Sequence, residues 1–564
     1  MSALVAGCER SAAERERVAA WSAQGRLGGL RVVERAASVA PPGAERTLTV
    51  AATGDLKGWI STATLHPGRE ATGLAHLAPL IRDLRAGDPD LLLLDAGDAL
   101  NEAPATTLAG MGTADPAPVP PIVTLMNALG YDAMALGNYD VALGWAALGR
   151  AQAASRFAWL SANLERTENG TGGGAEGGTV LAPYTVLERR GVRVGVLGLT
   201  TPAAALGRDP RELAGRAFAD LEAAARRWVP ILRGVERVDV LIGLFHSGLD
   251  GKWAREDAVR AGLPLFAAAG RVAETVPGFD LIVAGDAQRL SPRRSTAAET
   301  PYGVPVLEPG ARGNGLAVAT LRLAARDGRW VVTDVERHTL AAAAAPDPAA
   351  LALVAEPLLR IRERLAEPTR VRFRRVPRKS EFYRCAGALS HAAAAAGSGD
   401  DAARVRSLLP MRWVFAPPAR GELGSPLRRA HLYRWLRYDD TLVQGRLTGR
   451  QVALLLDGYV RHERGWRVLP LEVFWPGGLA VDVPQEGSEL SAVRQADDGA
   501  VLPRDGTVPV WLTAFVWYGG LGLAPRALLP GGPPLRALPG SLRERLFALL
   551  SDPALVIPAP CARW

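Results

Sequence analysis

At 564 residues the chain is too long for one ordinary hydrophobic core, and it calls for two large domains. Its 48% hydrophobic and 22% charged residues are those of a globular protein, and 61 glycines with 42 prolines mark many loops. The net charge of +8 is carried mostly by scattered arginine. It lacks the basic–aromatic alternation of nucleic-acid binders, which excludes a nucleic-acid polymer as partner.

In chain order, residues 1–45 read as a polar lead-in. Within it, Leu4-Val5-Ala6-Gly7-Cys8 resembles the lipobox of bacterial lipoproteins, although the apolar stretch before Cys8 is short and lacks a basic leader. That resemblance implies the bacterial periplasm or outer membrane, with membrane attachment only through an N-terminal lipid. From residue 46 to 341, apolar runs alternate with helical stretches, as expected of a layered α/β domain. The runs Thr47–Ala52, Leu91–Leu94, Ala133–Leu136, Val238–Phe245 and Leu281–Ala284 read as buried strands. Each ends just before a polar residue: Asp55, Asp98, Asn138, His246 and Asp286, with Gln288 two residues further on. Residues just past the strand ends of an α/β sheet share one rim, so this set is expected to converge. Helices are expected at Gly73–Ala86, Pro120–Leu129 and Phe218–Leu232. Further strands are expected at Val192–Leu199 and Val304–Leu307, and a closing pair at Leu316–Leu323 and Trp330–Glu336. Asn169–Gly178 is a glycine-rich surface loop without the lysine of a phosphate-binding loop.

Residues 342–369 read as a linker, with one helix from Pro348 to Leu365 capped by Asp347. Residues 370–564 form a second, α+β domain, with a helix at Arg450–Tyr459 and β runs at Thr441–Leu447 and Val508–Phe515. The basic run Arg370–Lys379 suits a solvated strand or linker, or a face toward phosphate or a membrane. Cysteines occur at Cys8, Cys385 and Cys561, spaced for neither a zinc ribbon nor a dithiol motif. Cys385 and Cys561 either pair in an oxidising compartment or remain buried thiols.

Several stretches carry a family resemblance: Leu91-Leu-Leu-Leu-Asp-Ala-Gly-Asp98, Met126–Asp132, Ala135-Leu-Gly-Asn138, Gly198-Leu-Thr-Thr-Pro202, His246-Ser-Gly248 and Leu432–Leu442. In order and spacing they resemble the bacterial 5′-nucleotidase and 2′,3′-cyclic-nucleotide phosphodiesterase family. The resemblance implies a four-layer αββα metallophosphoesterase sandwich, calcineurin-like, followed by a substrate-binding C-terminal domain. It implies a small phosphoester or nucleotide as substrate and two divalent metals as the family norm.

Carried over residue by residue, Asp55 matches the first metal-ligating Asp, Asp98 the bridging Asp, Asn138 the Asn, His246 a His and Gln288 the Gln. Asp286 stands where a His belongs. Lys57 stands at the ligand His of D-x-H, and Tyr139 at the catalytic His, whose acidic partner falls at Ala142. A protonated lysine has no lone pair for a metal. The resemblance therefore implies loss of the first ion, with Lys57 pairing Asp55 and Asp98. Asp98, Asn138, His246 and Asp286 remain for one ion, Mn, Mg, Ca or Zn, with an empty polar rim as the competing state. In the second domain, Arg420, Tyr438 and Phe515 fall at substrate-binding positions, while Leu521 replaces a ribose-binding Asp. Three readings follow. One is a phosphoesterase of weakened or altered activity. Another is a non-catalytic pseudoenzyme binding an anion, nucleotide or partner protein. The third is a thiosulfohydrolase of sulfur oxidation.

Overall fold

The computed structural model describes residues 39–61, 72–108, 119–167, 178–205, 210–249, 265, 267–292, 294–295, 302–372, 378–396, 406–410, 426–436, 440–464, 474–477, 479–481, 493–495, 500–518, 536–558 and 561. Cys8, Arg420, Tyr438, Leu521 and most of the glycine-rich loop lie outside the described residues. The chain divides into two compact units, the first holding nearly all described residues up to Ile361 and the second those from Arg362 onward.

Two large sheets dominate the first unit, beside a two-stranded one of Leu164–Arg166 and Arg216–Phe218. One is seven-stranded and contains β1 (Glu45–Thr53), β2 (Leu92–Asp95), β3 (Ala133–Ala135) and β4 (Ala158–Leu160) side by side in parallel. The other is six-stranded. It contains β5 (Tyr184–Arg189), β6 (Val192–Thr200), β7 (Val240–His246), β8 (Leu281–Ala284) and β9 (Val306–Pro309), with β6 to β9 parallel. β10 (Gly315–Arg326) returns antiparallel along β1, and β11 (Arg329–Ala341) pairs with β10 across nearly its full length.

Alternation decides which side chains meet. Val194 and Val196 of β6, with Ile242 and Leu244 of β7, face Val50, Leu92 and Leu94 in the core between the sheets. The intervening Leu197, Leu199, Leu241 and Phe245 turn outward against Ala225, Trp228 and Leu232. Those three lie on α1 (Leu221–Gly234), whose N-cap Asp220 accepts a hydrogen bond from Ala223 N. Each fully buried Val, Leu or Ile contributes roughly 1.5–3 kcal/mol, which makes these paired cores the main source of stability. Helix Leu74–Gly87 packs against β10 of the seven-stranded sheet and against helix Pro121–Leu129. The layers are therefore helix, sheet, sheet, helix.

The linker is not one helix. It runs Pro348–Leu353, breaks at Val354 and resumes at Ala355–Ala366. Pro357 explains the break: it lacks an N–H, and its ring opposes the carbonyl of Leu353 four residues back. Asp347 caps the first piece through Ala350 N and pairs with Arg82.

The second unit has a five-stranded sheet of Arg406–Pro410, Thr441–Thr448, Phe474–Gly477, Thr507–Thr513 and Arg536–Ser541. The expected β run through Phe515 stops at Thr513, whose hydroxyl caps a short helix, Ala514–Trp517, by accepting Val516 N. Phe515 lies on that helix, exposed to 41%. Cys385 and Cys561 form a disulfide. No described helix is long and apolar enough to cross a membrane.

Candidate metal centre

The C-terminal ends of β1, β2 and β3 in one sheet, and of β7 and β8 in the other, open on the same rim. The turns there are welded by backbone bonds: Asp55 N donates to Gly97 O at 2.8 Å and Lys57 N to Asp98 O at 2.7 Å. The second sheet joins through Asp286 N, which donates to Asp55 Oδ2 at 2.9 Å. Asp55, Lys57, Asp98, Asp286 and Gln288 all hold φ between 50° and 67°, a left-handed conformation that costs a non-glycine residue energy and recurs at functional sites. Gly137 is required for a different reason: a Cβ there would lie 2.0 Å from Asp98 Oδ1.

Three of the side chains offer metal-ligating atoms within 4.8 Å of one another: Asp55, Asp98 and His246, all buried. His246 is fixed by Nδ1 against Ala96 O at 2.8 Å, which aims Nε2 into the rim. Around Nε2 lie Asn138 Oδ1 at 2.9 Å, Asp98 Oδ1 at 3.4 Å and Asp286 Oδ1 at 3.8 Å. Donors bound to one divalent ion at about 2.1 Å sit about 3.0–3.4 Å apart; of this quartet, Asn138 Oδ1 and Asp98 Oδ1 come near that spacing to Nε2, while Asp286 Oδ1 would have to draw in.

Lys57 lies on the other side of Asp98. Its ammonium is 3.3 Å from Asp55 Oδ1 and 3.4 Å from Asp98 Oδ2, with the lysine side chain only 2% exposed and both carboxylates fully buried. It also sits 3.8 Å from the centre of the Tyr139 ring, a cation–π contact. An ion shared by Asp55 and Asp98 would therefore have to displace the ammonium.

The charges are strongly interdependent. Burial opposes the Lys57 charge, but Asp98 and Asp55 override it and hold the ammonium well above its ordinary pKa. Burial would raise Asp98, yet His246 and Lys57 bring it down to about 2. Burial would likewise lower His246, but Asp98, above all, takes it to about 10. Half-buried Asp286 is pushed up to about 6, by burial first and by the charges of Asp55 and Asp98.

Two carboxylates given no role in the sequence reading shape the rim from behind. Asp140 accepts the N–H groups of Asp98, Leu100 and Gly137 at 3.0, 2.8 and 2.8 Å, tying the Asp98 turn to the Asn138 turn. Asp95 accepts Gly97 N at 2.9 Å and the Thr53 hydroxyl at 2.6 Å, and that hydroxyl also meets Tyr131 at 2.8 Å. The sequence signal for Asp95 was its place within the Leu91–Asp98 stretch, and for Asp140 an acid shortly after a buried apolar run.

No family model matches the chain. Relatives are nonetheless clear. Over 306 residues it is 28% identical to the trifunctional nucleotide phosphoesterase protein YfkN of Bacillus subtilis, covering 51% of this chain and 20% of that protein. Over 285 residues it is 24% identical to the 2′,3′-cyclic-nucleotide 2′-phosphodiesterase/3′-nucleotidase of Yersinia enterocolitica, covering 47% of this chain and 41% of that one. The chain thus spans less than half the length of these curated relatives. The solved structure of a putative 5′-nucleotidase from Staphylococcus aureus superposes with a TM-score of 0.70 at 15% identity, over 91% of this chain and 98% of that one.

The fold is that of a calcineurin-like phosphoesterase domain followed by a 5′-nucleotidase-type C-terminal domain. Within that class, this chain is homologous to the bacterial 5′-nucleotidases and 2′,3′-cyclic-nucleotide phosphodiesterases.

Proposed function

We propose that this protein hydrolyses a small phosphoester, a nucleotide or a close analogue, with one divalent ion at the strand-end rim and slower turnover than a two-ion enzyme. The observation that carries this reading is the convergence of Asp98 Oδ1, Asn138 Oδ1 and Asp286 Oδ1 on His246 Nε2. When bound there, an ion would polarise the phosphoryl oxygen and acidify a water. The protein's own part is orientation. Ala96 O fixes the imidazole, Tyr139 N holds Asp98 Oδ1 at 2.7 Å, and half-buried Tyr139 borders the donors. A phenol donates a hydrogen bond but carries no imidazolium charge, which supports weakened transition-state stabilisation.

The oxygen-rich donor set suits Mn²⁺ or Mg²⁺ better than a soft-ligand metal. We place the protein in the bacterial cell envelope. The Cys385–Cys561 disulfide supports an oxidising compartment, and the lipobox resemblance around Cys8 supports a lipid anchor. The test is hydrolysis of bis(p-nitrophenyl) phosphate and of a nucleotide panel by the Mn²⁺-supplemented full chain. We expect slow, ion-dependent turnover that His246→Ala abolishes. Turnover no greater than that of His246→Ala, with every substrate, would overturn the hydrolase reading.

A further inference from the structure

We propose that Lys57 is a built-in cation: its tethered ammonium permanently fills one of two adjacent cation positions that share Asp98, so the centre is half ammonium and half exchangeable metal. The inference rests on the rim being a cation site, as in the function proposed above, but not on catalysis.

The geometry of Asp98 carries it. Its two oxygens face different partners. Oδ1 accepts Tyr139 N at 2.7 Å and lies 3.4 Å from His246 Nε2, on the side of the donor quartet. Oδ2 accepts no hydrogen bond from a neutral donor, and neither does Asp55 Oδ1; both are buried. Two buried carboxylate oxygens so placed demand a shared positive charge. Among the described residues, that charge is Lys57 Nζ, at 3.4 and 3.3 Å from them.

The ammonium is also fixed in place. The backbone of Lys57 is pinned at both ends, its N–H on Asp98 O at 2.7 Å and its carbonyl accepting Ala103 N at 3.0 Å. The Tyr139 ring covers Nζ from a further side at 3.8 Å. An ion entering between Asp55 and Asp98 would have to evict a cation that cannot diffuse away. The donors on the other side of Asp98 include half-buried Asn138 and Asp286.

The experiment is Mn²⁺ stoichiometry by elemental analysis of the full chain after equilibration and desalting, together with anomalous scattering from Mn²⁺-soaked crystals. Wild type is expected to take up one Mn²⁺ near His246, Asn138 and Asp286. Lys57→His is expected to take up one more, between Asp55 and Asp98. Lys57→Gln, which removes the ammonium without adding an imidazole, is also expected to admit an ion between Asp55 and Asp98; this variant keeps the idea testable if Lys57→His fails to fold. An ion between Asp55 and Asp98 in wild type, or no gain in either folded Lys57 variant, would overturn the proposal. A correct stoichiometry without turnover would sink the hydrolase reading alone.

Discussion

The imidazole of His246 faces a competition between a proton and a metal ion. Its pKa of about 10 means that a cation approaching Nε2 must displace a proton. Mn²⁺ affinity is therefore expected to rise about tenfold per pH unit between pH 6 and 8, with about one proton released per ion bound. Isothermal titration in buffers of different ionisation enthalpy would measure both, and a flat affinity would show that the proton is not where we place it. Asp95 behaves differently. Burial raises its pKa to about 7 from an unfolded value of 3.8. The folded state then holds a proton that the unfolded state has lost. This contribution is complete below about pH 4 and drains away as pH rises to about 7, at about 1.4 kcal/mol per unit. Asp95→Asn should flatten that part of the stability–pH profile in urea titrations. Asp140→Ala would leave three buried amide N–H groups without their acceptor. It should cost about 3 kcal/mol or more in chemical denaturation, since each such group carries a desolvation penalty of about 1–3 kcal/mol.

At the scale of elements, strands were the most legible feature. Apolar runs such as Leu91–Leu94 and Leu281–Ala284 correspond closely to β2 and β8, because strands buried on both faces need continuous Leu, Ile and Val. Terminations were less legible. Thr513 looked like one more β-branched strand residue, but its hydroxyl is used as a helix cap. The helical periodicity of Pro348–Leu365 concealed the steric veto of Pro357. Asp347→Ala removes both the cap on Ala350 N and the partner of Arg82, and should lower the stability of the first unit by about 1–2 kcal/mol. The rim was legible as a set, since Asp55, Asp98, Asn138, His246 and Asp286 each follow a buried run. Asp140 was not, because its acceptor role is toward backbone amides, which no side-chain pattern reports; nor was Asp95, whose partners are one backbone amide and the distant Thr53 hydroxyl.

For the molecule as a whole, each unit has its own core, and among the described residues the disulfide lies in the second. The Cys385–Cys561 link closes a separation of 176 residues. By loop-closure entropy, losing it should destabilise the second unit by about 2–5 kcal/mol. In calorimetry of Cys385→Ser/Cys561→Ser, we expect the transition of the second unit to move down while that of the first stays in place; a common shift would mean that the units melt as one.

The left-handed turns at Asp55, Lys57, Asp98, Asp286 and Gln288 also limit how this rim can change over generations. Valine, isoleucine and threonine resist such a backbone, whereas asparagine, aspartate and glycine accept it. Mutational drift is thereby turned away from β-branched side chains, so a lineage can retune the charge of the rim far more readily than it can fill it with valine or isoleucine. A saturation library at these positions should be depleted, after selection for folding alone, in valine, isoleucine and threonine.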